Sequence, residues 1–255
     1  MDRIVVREND FGKTLAMATN AMKHSTDART GQEVLRHEAL AINALAERLG
    51  EDFEKAVTWI FEGKGRAITC GVGKSGHIAR KAAGTLASTG TPSLFLHAAE
   101  AVHGDLGMVT KEDIVLMFTH SGETDELVNL FPSLAAIGAR TVLVTGRAES
   151  SCGRLADLVL DTAVEEEACP NNLAPTTSTT VMLALSDALA VAVMKRRGFS
   201  SEDFAKFHPK GALGKRLLLK VSDVMRQGED CPVVSMEMPV IDVMRAITRA
   251  GAGAA

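Results

Sequence analysis

The sequence predicts an α/β protein in which a five-stranded parallel sheet is sandwiched by helices, of the flavodoxin or Rossmann-like type, with an N-terminal helical hairpin. Short apolar runs alternate with segments of helical periodicity, and these runs are apolar throughout rather than at every second residue. Such runs are typical of parallel strands buried on both faces. A chain of 255 residues with 46% hydrophobic content can bury one large core of this kind.

The elements follow in chain order. Residues 1 to 30 are polar, and we expect them to be partly disordered. From Gln32 apolar residues recur at helical spacing to Phe61, with a break near Gly50, which predicts the hairpin. The predicted strands are residues 67 to 72, 92 to 96, 113 to 119, 141 to 145 and 158 to 162. The predicted helices after the first strand are residues 75 to 88, 123 to 137, 150 to 156 and 175 to 197.

Composition argues against two classes of partner. A formal charge of −4, no Tyr and one Trp leave few groups for phosphate tracking or base stacking, so we expect no nucleic-acid partner. No apolar run approaches the ~18 residues of a membrane span and no signal peptide is evident, so we expect no membrane association. The cysteines form no C-x-x-C pair, which suits a cytoplasmic protein; they are Cys70, Cys152, Cys169 and Cys231.

A glycine-rich loop follows the first predicted strand. The pattern from Gly71 to Gly76 leads into an Ala-rich helical segment, where open α/β proteins bind anions, so we expect a phosphorylated ligand. The spacing also fits the dinucleotide fingerprint, but the second strand ends at His97 and the nearest acid, Glu100, lies beyond it. The Walker A pattern fails because Ile68 stands where its first glycine is required.

Two clusters of hydroxyl side chains precede predicted helices. Thr119, Ser121 and Thr124 follow the third strand, and residues 176 to 180 open the long apolar helix. Hydroxyls together with the free N–H groups of a first helical turn can cradle a phosphate monoester. Ordinary helix capping by Ser121 is the alternative for the first cluster. Two such clusters are harder to attribute to capping, so they favour a sugar-phosphate site.

The ordered motifs carry a family resemblance. They read Gly-x-Gly-Lys-Ser-Gly, Ser-Thr-Gly-Thr-Pro, His-x-x-Glu-Ala-x-His-Gly-Asp, Ser-Gly-Glu-Thr, Ala-Pro-Thr-Thr-Ser-Thr and His-Pro-x-Gly-Ala-Leu-Gly. In this order they resemble the arabinose-5-phosphate isomerase family. The resemblance runs from about residue 32 to about residue 250. It implies a sugar-isomerase (SIS) domain over residues 31 to 220 and an incomplete CBS fragment over residues 221 to 255.

The resemblance also implies an activity. The expected enzyme is an aldose-ketose isomerase that interconverts D-ribulose 5-phosphate and D-arabinose 5-phosphate through an ene-diol and supplies Kdo and lipopolysaccharide biosynthesis. It is expected to need no cofactor and to form a homotetramer. A non-catalytic sugar-phosphate sensor on the same fold, or an isomerase of another phosphosugar, are the alternatives.

The resemblance assigns site residues as well. The positions that match the family's catalytic set are Lys74, His103, Glu126, Glu167 and His208. The predicted substrate- and phosphate-binding set is Gly73, Ser75, Gly90, Thr91, His97, Thr119, Ser121, Thr124, Thr176, Thr177, Ser178 and Thr179. Moving a proton between adjacent carbons needs a base and carbonyl polarisation, and the residue types leave open which glutamate is the base. The resemblance marks His97 as an optional metal position.

Some of these residues also have non-functional interpretations, and the sequence differs from the family motifs in two places. Lys74 could be a solvated loop lysine, Glu126 a helix-surface acid, and residues 165 to 167 a solvated acidic run. The loop reads Thr-His-Ser around His120 where relatives usually have Ser-Asn-Ser, and Lys210 replaces a glycine. The first departure keeps a hydroxyl, so we expect phosphate binding to be retained.

Overall fold

The computed structural model describes residues 8 to 208 and 220 to 255, with the backbone alone for residues 8 to 25. The chain divides into two compact units, Met1–Phe199 and Ser200–Ala255. This division falls earlier than the boundary that the sequence places near Lys220. It coincides with a turn in which Gly198 has a φ of 63° and stops the preceding helix.

The first unit contains the predicted parallel sheet and its helices. The strands are β1 (Ala67–Gly71), β2 (Ser93–His97), β3 (Ile114–Phe118), β4 (Arg140–Thr145) and β5 (Leu158–Asp161). The helices are α1 (Glu8–Glu47), α2 (Glu51–Glu62), α3 (Gly73–Ser88), α4 (Ala98–Ala101), α5 (Asp125–Val128), α6 (Phe131–Ile137), α7 (Ser151–Leu155) and α8 (Thr177–Arg196), with a 3₁₀-helix at Asp105–Met108. The predicted fold class is confirmed, and two helices, α1 and α2, precede the first strand as predicted.

The sheet has the strand order β2-β1-β3-β4-β5, and every neighbouring pair is parallel. Gly71, the last residue of β1, stands opposite His97 of β2 and Phe118 of β3. The chain leaves β1 toward β2 and later continues from β3 toward β5, so its direction reverses between β1 and β3. Open α/β sheets bind ligands in the crevice at this reversal, at the carboxyl ends of the strands.

Helices cover both faces of the sheet. One face packs against α1, α2, α3 and α8 around a core that includes Phe118, Leu116 and Met182. The other face, which includes Val115, Met117 and Leu143, is covered by the short helices α4 to α7. Strand residues are buried toward both layers, which explains why their sequence is apolar without alternation.

Helix α8 lies in the first layer and spans the height of the sheet. Near its end, Arg197 donates a hydrogen bond to the Ile60 carbonyl at 3.0 Å, just ahead of β1 at the amino edge. Lys81 of α3 and Asp187 of α8 form an ion pair about two turns into α3 and about three turns into α8. Both helices therefore run antiparallel to the strands and begin at the carboxyl edge of the sheet.

Helix α8 also corrects one expectation. By length and composition Thr177–Arg196 could cross a membrane, so the prediction that no run approaches that length is wrong. Half of this stretch is buried inside the protein. The core helix of a soluble domain meets the same criteria, and burial against the sheet accounts for the apolar sequence.

Helix α1 begins at Glu8, and the expected partial disorder of residues 1 to 30 stays a prediction. Its later half packs on α8, with Leu45 buried, and extending an established helix costs far less than starting one. The helix predicted over residues 123 to 137 is two helices, α5 and α6. Pro132 has no backbone N–H and its ring would clash inside a continuous helix, so a new helix begins there with Pro132 in its first turn.

The second unit is small. It contains α9 (Ser201–Phe207), α10 (Val221–Val224), a 3₁₀-helix (Gly228–Asp230) and α11 (Val240–Ala250). No residue of α10 or α11 is buried. The interpretation of residues 221 to 255 as a CBS fragment stays a prediction. The Pro-x-Gly motif after His208, including Lys210, lies outside the described residues.

Candidate active site

The β1–α3 loop forms one wall of the crevice. A Cβ on Gly71 would lie 3.2 Å from the backbone of Gly76, so these glycines let the helix start directly beside the strand end. Gly73 takes a φ of 57°. No side chain caps the start of α3, so its first N–H groups can receive an anion. Lys74 is exposed in this first turn, and the neighbouring Ser75 is half-buried.

The β3–α5 loop forms the facing wall and is held by its own hydrogen bonds. The Oγ1 atoms of Thr119 and Thr124 are 2.8 Å apart, and the Gly122 N–H donates to Thr119 Oγ1 at 3.2 Å. Gly122 has a φ of 66° and leaves no space for a side chain, since a Cβ there would lie 1.9 Å from Ser150 Oγ. Thr119 is therefore a buried support of the loop.

Ser121 has a different role in this loop. Its side chain is exposed, and its Oγ accepts a hydrogen bond from the Glu123 N–H at 3.2 Å. Helix α5 begins later, at Asp125, with Thr124 as its N-cap residue. Ser121 therefore closes a turn ahead of the helix, and the alternative of ordinary helix capping by Ser121 does not describe this loop.

His120 belongs to the same loop and was considered in the sequence only as a departure from the family pattern. Its ring lies against Gly146 at the end of β4, where a Cβ would come within 2.5 Å of His120 Cε1. Its Nδ1 is buried without a hydrogen-bond partner among the described residues, and so is Oγ1 of Thr162, which follows β5. Strand register places His120, Gly146 and Thr162 in one row. In the sequence, the available signal for this contact is that a glycine at a predicted strand end, Gly146, follows His120 by 26 residues.

Glu167 is fixed at the start of α8. Its Oε2 accepts hydrogen bonds from the Thr176 N–H at 2.8 Å, Thr176 Oγ1 at 3.1 Å and the Ser178 N–H at 3.2 Å. Its Oε1 accepts a short hydrogen bond from Ser178 Oγ. Burial alone would raise the pKa of Glu167, but these donors outweigh it and hold that pKa below its usual value. The carboxylate is therefore ionised at neutral pH.

The hydroxyl groups at the start of α8 are thus hydrogen-bonded to other groups of the protein. Besides the donors to Glu167, Thr177 Oγ1 accepts from the Ala168 N–H at 2.9 Å, and Thr179 Oγ1 donates to the Thr176 carbonyl at 2.9 Å. This differs from the phosphate cradle predicted for Thr176, Thr177, Ser178 and Thr179. A helix N-terminus favours any nearby anion, and the Glu167 carboxylate is tethered only nine residues upstream of Thr176.

The crevice and Glu167 lie at the same edge of the sheet. Helices α3 and α8 pack against each other and both begin at the carboxyl edge. Lys74 is in the first turn of α3, and Glu167 receives its hydrogen bonds from the first turn of α8. The edge thus combines an ammonium group, an uncapped helix start, a hydroxyl-bearing loop and an oriented carboxylate.

Comparison with known proteins agrees with this geometry. The family model described as SIS domain matches residues 60–192. A Pseudomonas aeruginosa protein named arabinose 5-phosphate isomerase KdsD is 50% identical over 224 residues, which cover 88% of this chain and 69% of that protein. The chain belongs to the SIS-domain family of arabinose 5-phosphate isomerases. The family resemblance of the sequence motifs is confirmed.

Two further relatives support the assignment to this family. Arabinose 5-phosphate isomerase GutQ of Salmonella typhi is 48% identical over 223 residues, covering 88% of this chain and 70% of that protein. The solved structure of E. coli CFT073 c3406 in complex with arabinose 5-phosphate superimposes with a TM-score of 0.71 at 38% identity, covering 72% of this chain and 98% of that one. The SIS domain of this chain therefore has a close structural counterpart with sugar phosphate bound.

Gly90 and Thr91 lie at the other edge of the SIS sheet. They form the turn between the end of α3 and the start of β2, where the Thr91 N–H donates to the Leu86 carbonyl at 2.9 Å. Gly90 has a φ of 91°, and a Cβ there would lie 2.5 Å from the Phe199 ring. These contacts give both residues a structural role, and the structure does not bring them to the crevice within this chain. The family resemblance assigns both residues to the site by their position in the sequence, which does not show that α3 ends at the opposite edge of the sheet.

Three other predicted residues of the SIS domain lie at or after strand ends at the carboxyl edge. His97 ends β2, and its Nδ1 is buried without a partner among the described residues. His103 is exposed in the turn after α4, and Glu126 is exposed in the short helix α5. No group of three or more His, Cys, Asp or Glu side chains arranged to hold a metal was found in the described parts of the chain. A metal at His97 stays a prediction.

His208 belongs to the second unit. Its ring stacks on Phe204 with centroids 3.9 Å apart, and its Nδ1 lies 3.0 Å from the Phe204 carbonyl. These contacts fix the ring against α9. Participation of His208 in the active site of the SIS domain stays a prediction.

Proposed function

We propose that the chain is an isomerase that interconverts D-arabinose 5-phosphate and D-ribulose 5-phosphate. The observation that carries the proposal is the arrangement of Lys74, the Ser121 loop and the ionised Glu167 at one edge of the sheet. The relatives named arabinose 5-phosphate isomerase support the choice of substrate. Supply of arabinose 5-phosphate to Kdo and lipopolysaccharide biosynthesis is the proposed cellular role.

The β3–α5 loop binds the phosphate in this proposal. Ser121 and Thr124 offer hydroxyl groups, and the backbone N–H groups at the starts of α3 and α5 offer further donors. Both helix starts lack a side-chain cap. Hydrogen bonds to an ionised phosphate are stronger than those between neutral groups, so several neutral donors can hold it. The hydrogen bonds among Thr119, Gly122 and Thr124 preorganise the loop before the substrate arrives.

The reaction moves one proton along the sugar. In the open-chain aldose, the base removes the proton from C2 while O1 gains a proton, which gives the ene-diol. The base then returns a proton to C1 while the C2 hydroxyl loses its own proton, which gives the ketose. Hydrogen is redistributed within one molecule, so the step needs no external oxidant or reductant, and we propose that no cofactor is required.

We propose that Glu167 is the base that removes the proton from C2 and returns it to C1. Its carboxylate is ionised, half-buried and fixed by hydrogen bonds, whereas Glu126 is exposed on α5. Lys74 stabilises the negative charge that develops on O1 and O2, because its ammonium group carries the opposite charge. Glu126 serves the hydroxyl protons or ring opening. His103 and His208 are candidates for the same proton transfers.

A substrate panel tests the proposal. Purified protein is incubated with arabinose 5-phosphate, ribose 5-phosphate and glucose 6-phosphate, and ketose formation is measured. We expect turnover of arabinose 5-phosphate, with a loss of at least about 100-fold in Glu167→Gln. Turnover of another sugar phosphate alone would favour the isomerase of a different phosphosugar. Thermal stabilisation by arabinose 5-phosphate without any conversion would favour the sensor.

We also propose that the protein works as a cytoplasmic homotetramer. Leu35 and Leu40 on α1 are 68% and 67% exposed, and Val191 on α8 is 54% exposed. In the proposed tetramer, another subunit covers these apolar groups. Light scattering should give four chains per particle. A fully active monomer would contradict the proposal.

A further inference from the structure

The hydroxyls at the start of α8 face a carboxylate of the same chain. We propose that Thr176 and Ser178 are positioning residues for Glu167, which hold its carboxylate in one orientation and in its ionised form, and that they do not bind the substrate phosphate. This inference rests on the proposed function, because it treats Glu167 as the group that carries the substrate proton.

The distribution of hydrogen bonds distinguishes the two carboxylate oxygens. Oε2 accepts three, from the N–H and hydroxyl of Thr176 and the N–H of Ser178, at 2.8, 3.1 and 3.2 Å. Oε1 accepts one, from Ser178 Oγ. A carboxylate oxygen has two acceptor sites, so Oε1 keeps one site for the substrate while Oε2 is filled. The geometry therefore assigns the proton transfer to Oε1.

The surrounding backbone fixes the same carboxylate. The Glu167 N–H donates to Asn172 Oδ1 at 2.7 Å, and Asn172 adopts a φ of 53°, a conformation that asparagine tolerates. The next N–H, of Ala168, donates to Thr177 Oγ1 at 2.9 Å. Thr177 and Ser178 are fully buried. The loop is thus tied to α8 on both sides of the Glu167 side chain.

Titratable groups on its own segment and on α1 lie near Glu167 in the described part of the chain. Glu165 and Glu166 precede it on the same segment, and Cys169 follows it. On the side of α1, His37 and Glu33 line the same cavity, and His37 Nε2 lies 3.1 Å from the Glu166 carbonyl. Glu165 and Glu166 carry the same charge as Glu167 and disfavour its ionisation. Glu33 is paired with Arg29 at 3.0 Å, and the groups that lower the pKa of Glu167 are the donors from α8.

The dependence of kcat/KM on pH tests the inference. The acid limb of this profile reports ionisation of the free enzyme. Removing one hydrogen bond to a charged group raises the pKa of Glu167, so Ser178→Ala and Thr176→Val should each move the acid limb up by about one pH unit. Thr176→Ser, which keeps the hydroxyl, should retain the native profile. Ser186→Ala is the matched control, since Ser186 is buried on α8 but donates to the Met182 carbonyl.

A second measurement separates positioning from phosphate binding. If Thr176 and Ser178 act through Glu167, their variants lower kcat and leave the inhibition constant of inorganic phosphate unchanged. A weakened affinity for phosphate with an unmoved acid limb would overturn the inference. An equal loss of activity at every pH, explained by a lower melting temperature, would overturn it as well.

The inference can fail separately from the proposed function. Glutamate labelled with ¹³C reports the titration of Glu167, whose signal is identified by its loss in Glu167→Gln. An upward shift of that titration in Ser178→Ala supports positioning whether or not arabinose 5-phosphate is turned over. An unchanged titration rejects it, while absence of turnover in the native protein rejects the proposed function alone.

Discussion

The imidazole of His120 lies against the backbone of Gly146, so closely that a Cβ on Gly146 would come within 2.5 Å of His120 Cε1 and 2.6 Å of Nδ1. This contact joins the β3–α5 loop to the end of β4. The Gly146 N–H also donates to the His120 carbonyl at 3.1 Å. The position of the β3–α5 loop therefore depends on the absence of a side chain at residue 146.

Gly146→Ala should displace the His120 ring and the loop with it. We expect a loss of about 1–3 kcal/mol in the free energy of unfolding, as for other overpacked sites. The KM for arabinose 5-phosphate should rise more than kcat falls, because binding of the phosphate is disturbed. Denaturant unfolding and steady-state kinetics measure the two effects.

Gly84→Ala is the control for this substitution. Gly84 is exposed within α3 and has no heavy atom within 4 Å of an added Cβ, so alanine should be neutral or stabilising by about 0.5–1 kcal/mol. Equal effects of the two substitutions would contradict the role given to the contact of His120 with Gly146.

Lys74→Met should lower activity without lowering stability. The side chain is exposed in the first turn of α3, so its loss removes charge from the crevice and little packing. We expect kcat/KM to fall about 100-fold, in the range found for loss of one electrostatic contact to a transition state. Lys111→Met, an exposed lysine at the amino edge, should retain native kinetics. Equal kinetics of the two variants would place Lys74 among solvated lysines.

Asp113 should make the free energy of unfolding depend on pH in the acid range. Burial opposes its ionisation, but hydrogen bonds from Arg66 and Thr110 outweigh burial and hold the pKa of Asp113 below its usual value. Its contribution is therefore complete above the unfolded-state pKa near 4 and is lost as pH falls through the lower folded-state value. Unfolding at pH 7 and between about pH 4 and pH 2 measures this loss.

Asp113→Asn isolates that contribution. Arg66 Nη2 lies 3.1 Å from Asp113 Oδ2, and the substitution removes the negative charge from this pair. The free energy of unfolding should fall by about 1–3 kcal/mol at pH 7. The acid dependence below pH 4 should become shallower. The neighbouring Glu112→Gln, on an exposed residue, should leave both quantities within about 0.5 kcal/mol of native. An unchanged acid slope in Asp113→Asn would be evidence against the assignment.

Leu185→Ala tests the place of α8 in the core. Leu185 is 2% exposed, and truncating such a leucine typically costs about 2–5 kcal/mol. Lys195→Ala, on the same helix but exposed, should change the free energy of unfolding by about 0.5 kcal/mol or less. Chemical denaturation measures both. A small effect at Leu185 would show that α8 does not pack as a core helix.

Much of the fold could be predicted because the relevant signals are local. Continuous apolar runs marked every strand, and the break near Gly50 marked the hairpin. The carboxyl-edge site followed from the glycines after β1 and the hydroxyls after β3, since these loops must meet at one edge of a parallel sheet.

Contacts that join residues through loops without periodicity could not be predicted. The sequence shows hydroxyls at residues 176 to 179 but not that Glu167 folds back onto them. It shows Gly90 and Thr91 in a familiar motif but not that α3 carries them to the amino edge. His120 was visible only as a departure, because its contact with Gly146 depends on the register of β3 and β4.

The carboxylate held by Thr176 and Ser178 gives the carboxyl edge two regions that favour ligands of opposite charge. The start of α3, which has no acidic residue in its first turn, favours an anion, whereas the start of α8 already has one in Glu167. An inhibitor that fits both regions should carry a phosphate at one end and a hydrogen-bond donor or amine at the other. A second acidic group in the same compound would meet the charge of Glu167 and lose affinity.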